Sequence, residues 1–272
     1  MLTVGDLFSG IGGFSLGLER AGMRTRWFSE IDPYASAVLR KHWADVPNHG
    51  DVRNVGRGTV EPVDVLCGGF PCQDISNAGK RAGIDGERSG LWAEYARVIG
   101  ELRPRYVIVE NVSALLGRGL GRVLGDLAAL GFDARWDVLS AADCGAFHIR
   151  ERIWIVAAHP DRLRQLQRQG RQQESRRRIG NGTQADAHAG GTRSQKPGAQ
   201  PAGAHGEQGR RALAQRGGWP AEPGLVRMVH GVPNRVDRIR ALGNAQVPRV
   251  AATAWEVLMT PNADLSGRTR SA

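Results

Sequence analysis

The sequence predicts an α/β domain with a mostly parallel sheet and helices on both of its faces. Short, β-branched apolar runs such as 63–67 and 106–109 alternate with stretches of helical spacing such as 90–102, the pattern of strands buried on both faces. Several runs close on glycine or a polar group, and the carboxyl edge of an open sheet is where such folds bind ligands. At 272 residues the chain can bury a full core and add a smaller appendage.

The first strand is expected over 2–8, followed by the turn Ser9-Gly10-Ile11-Gly12-Gly13 and a helix over 14–20. Strand, glycine turn and helix offer backbone N–H groups and a positive helix end to a ligand. Such a turn is weak evidence alone, but an acidic residue about 20 positions on supports it. Glu30 meets that test at the end of a second strand, 25–30, where it could accept both hydroxyls of a ribose. Asp32-Pro33 then opens a helix, Asp as N-cap and Pro at its first position. Asp51 falls where a third strand would deliver a group to the base of a nucleoside; taken by itself it reads as a turn residue.

The run 63–67 is a buried strand that ends in Gly68-Gly69-Phe70-Pro71-Cys72-Gln73-Asp74. Cys72 therefore stands just past a strand's carboxyl end, placed for chemistry rather than packing. Residues 73–87, rich in Gly, Ser and Asn, read as a mobile lid. Helix resumes over 90–102, with Leu91, Tyr95, Val98, Ile99 and Leu102 on one face. The strand 105–112 carries Glu110 to the same sheet edge as Cys72; its plain role is capping or pairing with an arginine. In an apolar cleft, however, its pKa would rise and let it donate a proton. A helix over 119–130 and strands over 132–139 and 153–158 complete the unit. In an extended segment, Arg150 and Arg152 share one face.

Beyond that point the composition changes. Between Gln167 and Ala212 the only large apolar residue is Ile179, so this stretch cannot offset its ordering entropy with a core of its own. A turn over 242–248 leads into a helix over 249–259, and 261–272 reads as a loose tail. Charge divides along the same line. Residues 1–156 hold 18 Lys+Arg against 19 Asp+Glu, while 157–272 hold 19 against 8. The basic half is nearly all arginine, which forks onto phosphates and guanine edges; it suits a nucleic acid, a merely solvated tail being the bland alternative.

Three cysteines, Cys67, Cys72 and Cys144, form no C-x-x-C pair, which argues against a disulfide framework and a zinc site. No 18-residue apolar run or signal peptide is present, so a cytoplasmic protein with no membrane partner is expected.

Taken together, these residues resemble the DNA (cytosine-5) methyltransferase family of bacterial and phage type. Asp6-Leu7-Phe8-Ser9-Gly10-Ile11-Gly12-Gly13 is similar to its cofactor motif and Gly69-Phe70-Pro71-Cys72-Gln73 to its nucleophile loop. Glu110-Asn111-Val112 resembles the ENV element, Arg150-Glu151-Arg152 the end of the Q-x-R-x-R strand with His148 in place of the glutamine, and Gly243-Asn244-Ala245 the closing GN element. The motifs stand in the family's order.

The resemblance implies a Rossmann-like S-adenosylmethionine-dependent methyltransferase fold. It implies a catalytic and cofactor domain over 1–158, a reduced and partly disordered recognition region over 159–240, a C-terminal helix over 241–260 that returns to the domain, and a flexible tail over 261–272. It implies methyl transfer from S-adenosylmethionine to C5 of a flipped cytosine in double-stranded DNA by a monomer. Cys72 would add to C6, protonated Glu110 would hold N3 and N4, Arg152 would hold O2, and Arg150 would support the loop. Phe8, Gly10, Ile11, Gly12, Gly13, Glu30, Asp51, Val52, Pro71, Leu91 and Asn244 would line the cofactor, with Phe8 on adenine, Glu30 on the ribose and Asp51 on the adenine amino group. Ser76 and Lys80 would reach DNA from the lid. An RNA cytosine-5 methyltransferase and a DNA-binding relic without turnover are the alternatives.

Overall fold

The computed structural model describes residues 1–71, 90–160 and 235–259. Its sheet has six strands: β1 (Thr3–Leu7), β2 (Arg24–Ser29), β3 (Val65–Gly69), β4 (Tyr106–Val112), β5 (Asp133–Leu139) and β6 (Arg152–Ala158). They lie in the order β2-β1-β3-β4-β6-β5. The first four are parallel, whereas β6 runs antiparallel to both β4 and β5. The mostly parallel α/β sheet expected from the sequence is therefore present, with a single reversed strand.

Side-chain alternation along the strands divides the core in two. On one face, Val4, Cys67, Ile108 and Trp154 meet Phe14 and Leu18 of α1 (Gly13–Arg20) and Val250, Ala254 and Leu258 of the C-terminal helix Pro248–Met259. On the other, Leu66, Val107 and Ile155 pack against Tyr95, Val98 and Ile99 of the helix Gly90–Leu102 and Val123 and Leu127 of the helix Leu120–Ala129. Burial on both faces is why these strands read as continuous apolar runs. Among the described residues the helices are, in chain order, α1, α2 (Pro33–His42), α3 (Gly90–Leu102), α4 (Leu115–Arg118), α5 (Leu120–Ala129), α6 (Arg235–Asn244) and α7 (Pro248–Met259). Asp32 caps α2 as expected: its carboxylate accepts from the Ala35 N–H at 2.9 Å.

The structure differs from the sequence reading in three places. No third strand forms before Asp51; a single bridge joins Phe28 to Asn48, and Asp51 instead caps a 3₁₀ turn, Val52–Asn54. The helix expected over 119–130 is α5 with a short α4 ahead of it, separated at Gly119. Towards the C-terminus the helix expected over 249–259 is α7, but the turn expected over 242–248 is confined to 245–247, because a further helix, α6, runs from residue 235 to 244. Its apolar residues Val236, Ile239 and Leu242 stand three apart but are exposed; Arg240 pairs with Asp32 of the α2 cap at 3.2 Å and, within the helix, with Asp237 at 3.0 Å. The lid over 73–87 lies outside the described residues. Of the recognition region expected over 159–240, only 159–160 and 235–240 lie within them.

Beneath the sheet's carboxyl edge sits Asp6, fully buried on β1. The Ser15 hydroxyl donates to its Oδ2 at 2.7 Å, but burial outweighs this and pushes its pKa from 3.8 up to about 7. A folded-state pKa above the unfolded one means that the native state holds the proton more tightly. The associated stability is full below about pH 4, falls by about 1.4 kcal/mol per pH unit up to about pH 7, and stays lost above it. Asp6→Asn, which removes the titration, is expected to gain stability relative to the parent as pH rises from 5 to 8. Denaturant titrations of both proteins across that range check this, and parallel stability curves would refute it.

Candidate active site

Two parallel strands set the centre of the site. Gly69 on β3 pairs in register with Glu110 on β4, so the two residues lie side by side at the sheet's carboxyl edge. Glu110 is 7% exposed. Each of its carboxyl oxygens has a partner from another element: Arg152 Nε stands 3.1 Å from Oε1, and the Gln246 amide donates from Nε2 to Oε2 at 3.2 Å. Burial raises the Glu110 pKa, while the Gln246 hydrogen bond and the positive charges of Arg152 and Arg150 oppose the rise. The result is a carboxyl group biased towards its protonated form yet held by donors on both oxygens.

Arg150 and Arg152 do different things despite their shared pattern. Arg152, the first residue of β6, points at Glu110 and also donates to the Glu151 carbonyl at 2.7 Å. Arg150 has a positive φ of 31°, a strained backbone for a non-glycine residue, and turns away towards the C-terminal segment. Its Nη2 donates to the carbonyls of Gly243 at 2.8 Å and Ala245 at 2.6 Å. Burial and the nearby Arg152 lower its pKa. The two arginines thus join β6, the acid and the GN element into one unit.

The approach to Cys72 is anchored on its N-terminal side. Asn111 donates from Nδ2 to the Phe70 carbonyl at 3.0 Å, and the buried Phe70 ring packs on Trp92 with centroids 5.3 Å apart. Pro71 is half-buried. Cys72, Ser76 and Lys80 lie outside the described residues. The other two cysteines, Cys67 and Cys144, are buried and not joined in a disulfide.

The residues expected to hold a nucleoside cofactor fall mainly around the β1–α1 turn. Phe8 closes β1 with φ 53° and lies 6.2 Å from the Tyr95 ring. Glu30 accepts from the Gly10 N–H and the Asp32 N–H, both at 2.7 Å, which fixes its carboxylate beside the turn. Carboxylate oxygens have spare lone pairs, so this anchoring leaves acceptors for a ribose. A Cβ at Gly10 would meet no heavy atom within 4 Å, so the turn faces open space. Ile11 is half-buried, and Gly12 and Gly13 are buried. These groups fit a nucleoside. Val52 is buried and Leu91 packs at the edge of the same core cluster. Asp51 is committed to Arg53, with Nη2 and Oδ2 at 2.6 Å, and this pairing lowers its pKa. Asn244 is exposed at the end of α6.

The structure therefore brings together Glu110, Arg152 and, through the C-terminal turn, Arg150. It gathers Phe8, Gly10 and Glu30 separately, at the first turn. Gln246 was missed; its signal was its place directly after Gly243-Asn244-Ala245. Among the described residues, no group of three or more His, Cys, Asp or Glu could hold a metal, and no helix is long and apolar enough to cross a membrane.

The architecture is shared with solved methyltransferase structures. The Entamoeba histolytica methyltransferase EhMeth aligns with a TM-score of 0.52 at 19% identity, over 58% of this chain and 53% of that one. The Dnmt2 methyltransferase of S. pombe gives 0.50 at 22% identity, over 58% and 51%. These likenesses define a protein of methyltransferase fold. The family is more particular: the model of the C-5 cytosine-specific DNA methylases matches residues 2–196, and the chain belongs to that family. Among its curated relatives, the Type II methyltransferase M.Eco47II of Escherichia coli is 41% identical over 173 residues, which are 58% of this chain and 40% of that protein. M.BsuFI of Bacillus subtilis is 37% identical over 164 residues, 59% and 40%. M.HhaI of Haemophilus parahaemolyticus is 35% identical over 160 residues, 57% and 49%. The matched part of the chain thus spans between two fifths and half of these relatives.

The glycine beside the acid gives a test of the site's packing. A Cβ at Gly69 would overlap Gln246 Nε2 and come within 2.5 Å of Glu110 Oε2. Gly69→Ala is expected to destabilise the fold by about 1–3 kcal/mol, the cost of overpacking a filled site. A denaturant midpoint unchanged from the parent would show that the contact is not as close as described.

Proposed function

We propose that the chain methylates cytosine at C5 in double-stranded DNA, with S-adenosylmethionine as methyl donor and a covalent bond between Cys72 and C6. The observation that carries this reading is the buried Glu110, held by Arg152 and Gln246 one strand away from the strand that leads into Cys72. Burial raises the pKa of this carboxyl, and a carboxyl that carries its proton can donate to a cytosine ring nitrogen, the donor that addition of a thiolate at C6 requires.

In this scheme Cys72, as the thiolate, forms a bond to C6, and the ring electrons move towards N3. Glu110 donates a hydrogen bond at N3 and accepts one from the exocyclic amino group, so the charge that builds on the ring is met by a group already in place. Arg152 lies against the same carboxyl and would reach the neighbouring O2. S-adenosylmethionine, when bound, supplies an electrophilic methyl group for C5. Phe8, Gly10 and Glu30 would hold its nucleoside part, with Glu30 directed at the ribose hydroxyls. A base carried by solvent water would then take the C5 proton, and the electron pair left behind re-forms the C5–C6 double bond as the C6–S bond breaks and Cys72 leaves as a thiolate. A base inside a duplex cannot reach Cys72, so the cytosine must leave the stack, and the arginine-rich half of the chain supplies cations to grip the backbone.

The full chain incubated with tritium-labelled S-adenosylmethionine and mixed-sequence duplex DNA is expected to label cytosine at C5. Label in tRNA alone would move the substrate to RNA, and no label in either would remove the enzymatic reading. Cys72→Ser is expected to abolish both turnover and covalent trapping on 5-fluorocytosine DNA, and persistent trapping would displace Cys72 from its role. Glu30→Ala is expected to weaken S-adenosylmethionine binding by about 1–3 kcal/mol, the range for losing a hydrogen-bonded charged group. Calorimetry that found equal affinity would refute the ribose assignment.

A further inference from the structure

We propose that Gln246 is a positioning residue for Glu110, its carboxamide fixing the acid's orientation and tying it to the C-terminal turn. This rests on the reading of Glu110 as the group that meets N3. Gln246 is one of few buried polar side chains among the described residues, 8% exposed, and its Nε2 donates to Glu110 Oε2 at 3.2 Å. Arg152 holds the other oxygen, so the carboxyl is gripped from β6 on one side and from the α6–α7 turn on the other. Space for this contact is built into β3: only a residue without a Cβ at position 69 leaves room for both side chains.

The turn itself is clamped. Arg150 binds the carbonyls of Gly243 and Ala245, just before Gln246. On its far side, the Gln246 carbonyl lies where a Cβ on Gly13 would collide with it. Gln246 therefore joins the first residue of α1, at the cofactor turn, to the acid on β4.

The chemistry explains why an amide suits this position. Arg152 can only donate, and so favours the carboxylate. A carboxamide donates from Nε2 to a carboxylate and, rotated, accepts at Oε1 from a carboxylic acid. Gln246 can therefore keep Glu110 in place in both protonation states, as an acid whose hydrogen bond strengthens and relaxes within each turnover needs. The charged groups that face Glu110 among the described residues are Arg152 and Arg150, both cationic. Gln246 is the neutral member of that shell.

The experiment compares the full-length parent with Gln246→Leu, Gln246→Glu and Glu110→Gln. It reads methyl transfer to duplex DNA as a function of pH, together with difference infrared titration of the Glu110 carboxyl in the ligand-free chain. Gln246→Leu is expected to lower kcat by about 10- to 100-fold, the scale for misplacing a reacting group, with KM for S-adenosylmethionine unchanged. It should also move the alkaline limb of the profile and the infrared midpoint to higher pH, because a donor to the carboxylate has gone. Gln246→Glu is expected to recover activity towards acid pH, where two adjacent carboxyls share a proton. Gln246→Leu should not recover. Should the leucine variant fail to fold, Gln246→Met, of similar volume to glutamine, takes its place. An unmoved infrared midpoint, or a uniform loss of rate with no pH recovery in Gln246→Glu, overturns the proposal. Full turnover in Glu110→Gln would instead remove Glu110 from its role, an outcome separable from the behaviour of Gln246.

Discussion

A carboxyl group buried at the end of a strand constrains everything around it. Without partners, an ionised Glu110 would cost several kcal/mol to desolvate. The fold supplies those partners from segments distant in sequence, β6 and the α6–α7 turn, the second of them 136 residues away. Each segment in turn needs support. Arg150 provides it for the C-terminal turn, and the packing of α7 on α1 provides it for the helix behind that turn. At Gly17, a Cβ would come 2.9 Å from the Ala251 Cβ, so the two helices touch almost backbone to backbone. The glycine pattern of the first helix is thus a packing requirement as much as a ligand one.

Much of this is legible in the sequence because it is local. The strand runs, the glycine turn, the Asp32-Pro33 cap and the positions of Glu30, Glu110 and Arg152 at strand ends all follow from short-range pattern and chain direction. Glu30 and Gly10 are drawn together because a parallel β1–β2 pair places both at one edge, as the spacing suggests. The misses are tertiary. In α6, Val236, Ile239 and Leu242 recur at three-residue spacing but are exposed rather than packed on the core, and the contacts of the helix are an ion pair to Asp32 and the Gly243 carbonyl bound by Arg150. Three apolar positions over two turns are too short a pattern to announce such a helix. Gln246 follows the Gly243-Asn244-Ala245 element directly, but a glutamine within a turn gains its meaning only when β4 is known to lie beside it.

Two buried carboxyls, on β1 and β4 with β3 between them, show how environment sets each one apart. Asp6 lies beneath the edge, with the Ser15 hydroxyl and the Cys67 thiol beside it, and no cation among the groups that set its pKa. Glu110 lies at the edge and faces two arginines. Both are shifted upwards by burial. For Asp6 the shift taxes stability at neutral pH and has no donor of positive charge to relieve it. For Glu110 the charges of Arg152 and Arg150 and the Gln246 hydrogen bond oppose the rise that burial causes.

The reversed strand accounts for how the arginines reach the acid. In a parallel sheet, only the carboxyl ends of strands arrive at the ligand-binding edge, and each strand then leaves through a helix on one face. β6 runs the other way, so its first residue, Arg152, pairs with Val112 at the carboxyl end of β4. An antiparallel strand delivers its beginning where its neighbours deliver their ends. The segment before it, with Arg150, is thereby placed over the same edge, and the chain runs on from β6 towards the opposite side of the sheet. One reversal gives the carboxyl edge of the parallel strands a cationic partner for the Glu110 carboxyl. The chemistry attributed to Glu110 depends on that reversal as directly as on the glutamate itself.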